Sequence, residues 1–281
     1  MRYPMYKKLF LLTVLVIFSS GCQRLVDSDS EMEDAESSAP EYGSMTDERD
    51  GSVYKTVKIG QQVWFAENLK TTQYKDGTDI PFGEGVDLIS LDVEDRVFYF
   101  DTFGDARNVE TYGRLYTYGA AIKGICPAGW HVSTDGDWLV MEMELGMSYE
   151  ESMHLHFDTR RGSEIVPKLM ATPDLWPYSF GTNESGFNAL PAGYKTLGES
   201  RHPSYAYFGE KAYFLTTTRG PEGVYYNGNR PLNNAVRRNF EVEPNRISLN
   251  RDSNISLGYA YSVRCVEGEP YSTGQTGSPE R

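Results

Sequence analysis

Hydrophobic and polar positions alternate from Val53 to Ile59, a Gly60-Gln61 pair follows, and the alternation returns from Gln62 to Leu69. That is the pattern of a β-hairpin. Residues 72–95 are polar, glycine-rich and acidic and read as loop, whereas Val97 to Phe103 is a short aromatic run that suits a strand. From Tyr112 the period changes: Leu115, Tyr118, Ala121 and Ile122 fall at helical spacing and predict a first helix ending near Gly124. A second helix is predicted where Thr134 can cap the chain, Asp137 stands three residues on, and Trp138, Met141 and Leu145 form one apolar stripe before Gly146. Glu164 to Ala171 predicts a third, shorter helix, with Pro167 tolerated in its first turn. Beyond Trp176 the strand pattern takes over, at Phe187–Tyr194, Ala212–Thr217, Ala235–Val242, Ile247–Arg251 and Tyr259–Val266, between Gly, Asn and Pro turns. Helices early and strands late make an α+β order, without a fixed-period repeat.

The N-terminal end has a different character. Arg2, Lys7 and Lys8 precede a largely apolar stretch, Leu9 to Phe18, and then Ser19-Ser20-Gly21-Cys22. This is a signal peptide's order, and ten residues are too few to cross a bilayer core, which takes about 20. The Gly-Cys junction resembles the lipobox of bacterial lipoproteins, although Ser19 stands where many carry Leu; the resemblance implies that residues 1–22 are a leader and that Cys22 is acylated. An ordinary secretory signal is the alternative, and both readings export the protein. Residues 23–50 hold ten acids against Arg24 and Arg49 and almost no large apolar side chain, so they are expected to be a disordered tether. An acidic stretch after a lipidated cysteine also resembles the surface-export signals of some bacterial lipoproteins. The expected location is therefore the cell envelope, as an outer-membrane lipoprotein held by its lipid and exposed at the surface where that signal acts. Residues 51–268 would form one domain and 269–281 a flexible tail.

With Cys22 acylated, Cys126 and Cys265 are the remaining thiols, and an even pair in an exported protein reads as a disulfide. Loss of the leader removes three cations and no anion, which moves the net charge from −13 to −16. So acidic a chain is unsuited to nucleic acid, which requires a basic surface.

Five ordered segments carry a wider likeness: Ile59 to Leu69, Tyr112-Gly113-Arg114-Leu115-Tyr116, Cys126-Pro127-Ala128-Gly129-Trp130-His131, Ser185 to Gly193, and Tyr261-Ser262-Val263-Arg264-Cys265-Val266. Together they resemble the Fibrobacter succinogenes major paralogous domain, from about Val53 to Glu267. The resemblance implies an exported protein with a C-type-lectin-like fold: two or three early helices and a mainly antiparallel twisted sheet with long loops. It implies no general activity. Ser133 stands where the family usually has Pro, and Leu215 where Trp is usual.

Candidate chemistry is sparse. Trp130, His131 and Trp138 beside the cysteine read as core. His154, His156 and Asp158 would share one face of an extended segment, as metal ligands can, or be an exposed alternating stretch. Glu243-Pro244-Asn245 followed by Asn250-Arg251-Asp252 is similar to the calcium- and sugar-binding loop of C-type lectins, which makes Glu243, Asn245, Asn250 and Asp252 candidate calcium ligands. No other cofactor is expected. The best-populated candidate is Tyr205, Tyr207, Tyr225, Tyr226, Asn227, Asn229, Arg230, Asn233, Asn234, Arg237 and Arg238, which mixes rings with amide and guanidinium donors as sugar recognition requires; strand tyrosines and turn asparagines are the plain alternative. There is no Gly-x-Ser-x-Gly elbow or phosphate loop, and among 40 acids no carboxylate pair stands out. The expected function is non-enzymatic: an extracytoplasmic binding or adhesion module for glycans. The alternatives are a structural surface component that contacts other proteins, and a hydrolase.

Overall fold

The computed structural model describes residues 39–87, 91, 95–155, 160–178, 180–197, 204–220, 235–253 and 258–271. The predicted hairpin is present, as β2 (Val53–Ile59) and β3 (Gln62–Phe65), preceded by β1 (Glu41–Thr46). β1 pairs with β2 along its whole length, from Glu41 opposite Lys58 to Thr46 opposite Val53. This corrects the expected tether: the chain is already part of the domain at residue 41. Composition misled because β1 is held through its backbone pairing with β2, and one of the acids, Asp47, is buried. Asp47 is buried against Arg49 at 2.6 Å, and Arg49 also donates to the carbonyls of Gln73 and Ile125.

After β4 (Tyr99–Asp101) come the short α1 (Val109–Tyr112), β5 (Arg114–Thr117) and α2 (Tyr118–Gly124). The predicted first helix is thus half strand. Gly113, at φ 73, breaks the helical path before Arg114, and Thr117 then caps α2 by accepting from the Ala120 N–H. β6 (Trp130–Val132) leads into α3 (Asp135–Glu144), whose capping box between Thr134 and Asp137 is the one the sequence predicts. α4 (Tyr149–Met153) follows, and α5 (Val166–Leu169) carries Pro167 in its first turn as expected.

The predicted strand at 187–194 is mostly irregular, because Asn188 and Gly193 take left-handed conformations (φ 58 and 63); β7 begins only at Tyr194 and ends at Thr196. β8 (Tyr205–Ala206), β9 (Ala212–Arg219), β10 (Ala235–Glu243) and β11 (Arg246–Asp252) follow. The last predicted strand divides into β12 (Tyr259–Tyr261) and β13 (Cys265–Glu267).

The strands form three antiparallel sheets, in the orders β1-β2-β3-β13-β6, β4-β5-β12-β7-β8 and β11-β10-β9. The molecule is therefore mixed helix and sheet. β12 and β13 lie in different sheets, so Ser262, Val263 and Arg264 are the crossing between them. A buried aromatic core of Trp64, Trp138, Phe187, Phe214 and Phe240 packs ring to ring at 5.3–5.8 Å. Cys126 and Cys265 are joined in a disulfide. The tail from 269 is not free at its start: Thr134 Oγ1 donates to the Tyr271 carbonyl at 2.8 Å, and the Tyr271 N–H donates to Asp137 at 3.1 Å.

Candidate functional site

Four of the five sequence motifs meet at one residue. Arg264, fully buried, donates from Nε to Asn68 Oδ1 (2.8 Å), from Nη1 to the carbonyls of Phe65 and Phe187, and from Nη2 to that of Asn188 (2.7 Å); its guanidinium lies 4.4 Å from the Phe187 ring centre. Asn68 in turn donates to the Tyr112 carbonyl and to Ser262 Oγ. A Cβ on Gly113 would lie 2.5 Å from Asn68 Cβ, so only glycine lets the two segments meet. Burial, only partly offset by Glu67, lowers Arg264 to about 9, still above neutral pH, so the group is a cation held mainly by carbonyl dipoles. These motifs are occupied in joining strands and loops. The two departures from them fit without strain: the Ser133 N–H donates to the Arg264 carbonyl, its Oγ accepts from Trp138 Nε1, and Leu215 is buried. Trp138 is core, as expected, and His131 is tied to the Gly268 carbonyl and to Asp137.

A different region has the makings of a site. Tyr194 of β7, Tyr207 of the turn before β9, Tyr213 of β9, and Tyr259 and Tyr261 of β12 form one cluster, with Tyr194 lying 5.0–6.0 Å from the other four. The turn can reach Tyr194 because residue 193 has no side chain: a Cβ there would lie 2.2 Å from the Ala206 carbonyl oxygen and 2.7 Å from the Phe208 nitrogen. Burial raises the phenols of Tyr194, Tyr213 and Tyr261, which remain neutral hydroxyls on apolar rings. Tyr207 is 41% exposed, and Tyr194 and Tyr259 are half-buried.

A polar floor adjoins this wall. Opposed residues of an antiparallel pair share a face, and the register sets Asn239 opposite both Tyr213 and Asn250, Arg237 opposite Asp252, and Glu241 opposite Ser248. Arg237 lies 4.9 Å from the Tyr213 ring centre and 5.1 Å from that of Tyr261, donates to the Tyr261 hydroxyl at 2.6 Å, and pairs with Asp252. Lys211 lies over Tyr207 and pairs with Glu241. The buried Asn239 Oδ1 and Ser248 Oγ have no hydrogen-bond partner. Tyr213, Tyr261, Asn239, Asn250 and Ser248 are buried beneath the face, which presents the rings of Tyr194, Tyr207 and Tyr259 beside the partly exposed and mutually neutralised Arg237, Asp252 and Lys211 and so suits an uncharged ligand with apolar faces.

The sequence-based candidates divide around this face. Tyr207 and Arg237 belong to it. Tyr205 lies apart, hydrogen-bonded to Glu84 and close to Lys195. Arg238 is corrected: it points to the opposite face of β10 because side chains alternate along a strand, and it is fully buried against Glu142 (2.6 Å) and Asp135 (2.7 Å). Tyr225, Tyr226, Asn227, Asn229, Arg230, Asn233 and Asn234 lie outside the described residues, as do His156 and Asp158 of the histidine segment; His154 is exposed. The calcium set does not converge. Glu243 and Asn245 sit at the β10–β11 turn, with Glu243 paired to Arg246, while Asp252 is at the far end of β11, about 20 Å away at the rise of a strand, and Asn250 is buried between. Among the described residues no cluster of three or more His, Cys, Asp or Glu is placed to hold a metal ion. Sequence reading missed Tyr194, Tyr213, Tyr259 and Tyr261; the i, i+2 repeat of Tyr259 and Tyr261 was the available signal.

The model of the Fibrobacter succinogenes major domain matches residues 57–267, and the chain belongs to that family. No curated protein and no solved structure matches it.

Proposed function

We propose that this protein is a non-enzymatic, extracytoplasmic lipoprotein whose C-type-lectin-like domain binds glycans on the tyrosine-walled face. The observation that carries the reading is the cluster of Tyr194, Tyr207, Tyr213, Tyr259 and Tyr261 against a floor whose charges neutralise one another. Pyranose rings present apolar C–H faces to aromatic rings and hydroxyls to phenol and guanidinium groups. Among the described residues, helices confined to the first part of the chain, antiparallel sheets, and a terminal strand stapled to the end of the first helical region support the lectin-like comparison. A leader ending at Cys22 supports attachment to the envelope by lipid.

Residues 23–281 applied to a glycan array, with and without calcium, should retain a discrete set of ligands. Tyr194→Ala and Tyr259→Ala should each weaken binding by roughly tenfold, the effect of removing one stacked ring. No retained glycan in either condition, or variants that bind like the parent, would refute the reading.

A further inference from the structure

A lysine, a glutamate and an asparagine meet on the face of β10 that carries Arg237. Asn239 and Glu241 stand two residues apart on that strand and so project to the same side. β9 begins at Ala212, opposite Phe240, which sets Lys211 beside Glu241 and diagonal to Asn239, a spacing that a long side chain can bridge. Lys211 Nζ donates to Glu241 Oε2, and Asn239 Nδ2 donates to Glu241 Oε1 at 3.0 Å. One carboxylate thus holds an amine on one oxygen and an amide nitrogen on the other. The group is largely removed from water: Asn239 is 3% and Glu241 7% exposed, and Lys211 Nζ lies 4.7 Å from the Tyr207 ring centre. Asn239 Oδ1 has no partner, so the amide is oriented by its nitrogen alone. Among the described residues, the other carboxylates paired with lysine, on Glu41, Glu67, Glu84 and Glu110, hold no side-chain amide.

We infer that Lys211 and Asn239 join, once the chain has folded, in an intramolecular amide bond, with Glu241 as the proton carrier. Glu241 accepts a proton from the Lys211 ammonium, and the neutral Nζ attacks Asn239 Cγ. Glu241 then passes that proton to Nδ2 and takes a second one from Nζ, and the Cγ–Nδ2 bond breaks. The products are a Lys211–Asn239 amide and one molecule of ammonia. The remaining proton stays on Glu241, so the face keeps no net charge there. No oxidant, cofactor or second protein enters the balance. Carboxamides resist amines in free solution; here the fold holds both groups on one carboxylate and supplies the proximity that solution lacks. The bond would tie the turn that carries Tyr207 to β10, and it does not depend on the glycan reading.

Tryptic digestion and tandem mass spectrometry of the folded full-length chain test the inference. The peptides His202–Arg219 and Asn239–Arg246 should appear joined, uncut at Lys211, at about 17 Da below their summed mass, the loss of one ammonia. Lys211→Arg and Glu241→Gln, each shown by circular dichroism to be folded, should release the two regions as separate peptides at full mass. Cleavage at Lys211 with an intact Asn239 in the parent protein overturns the bond and leaves a plain ion pair. So does a loss of ammonia confined to the Asn239 peptide, which would be cyclisation of that asparagine on its own backbone. Joined peptides at parental yield in Glu241→Gln would overturn the part given to Glu241.

Discussion

Asp135 is buried where burial alone would raise its pKa, but Arg238 at 2.7 Å and a bidentate Arg251 at 2.5–3.1 Å outweigh that effect and hold the carboxyl at about 2. Glu142 bridges Arg238 to Arg161 in the same buried network. Because the folded value lies below the unfolded one of about 3.9, the unfolded chain takes up a proton that the folded chain refuses. The stabilisation is therefore fully present above about pH 5 and is lost as pH falls from 4 towards 2. It amounts to about 2 kcal/mol. Asp135→Asn should be less stable at neutral pH and should lack this part of the acid slope in denaturant titrations; an unchanged slope would show that Asp135 does not contribute it. The network was not legible in the sequence, since Asp135 is more than 100 residues from both Arg238 and Arg251 and all three look like surface charges. Arg264 was legible as a motif residue but not in its role, because its partners are mainly carbonyl groups, which every sequence has.

Among elements, those with strong local signals were read correctly: the β2–β3 hairpin from its alternation, and α3 from Thr134, Asp137 and the Trp138 stripe. Errors arose where tertiary pairing overrode local preference. β5 carries helix-compatible spacing but is drawn into a sheet by β4 and β12, and β1 has its backbone satisfied by β2 despite an acidic composition. The β10 strand explains why the candidate site was half legible. Arg237 and Arg238 look alike in sequence, and strand alternation sends one to the tyrosine face and the other into the core. The tyrosines converge from three sheet strands and a turn, a juxtaposition that no local pattern encodes.

At the scale of the molecule, the Cys126–Cys265 bond closes a segment of 139 residues between the end of the α2 region and β13. In the chain-entropy model a loop of that size contributes about 4–5 kcal/mol by restricting the unfolded chain. Cys265→Ser should therefore lower the melting temperature by many degrees, and an unchanged value would show that the bond contributes little. The tyrosine face should suffer in the same variant, since β12 and β13 are separated by only three residues.

The position of β1 also has a mechanical side. On the proposed attachment through Cys22, 18 residues, Gln23 to Pro40, separate the lipid from β1. Tension from the membrane enters at Glu41, at the open end of the β1–β2 pair, and separates its hydrogen bonds one after another. Residues 41–50 would then pay out about 35 Å of extra chain before load reaches the stapled domain. Single-molecule stretching from the N-terminal end should record that short, low-force step ahead of domain unfolding, and its absence would mean that β1 is held by more than its edge. On the proposed reading, a lipid-held binding module under tension would thus give up β1 first and keep its binding face intact.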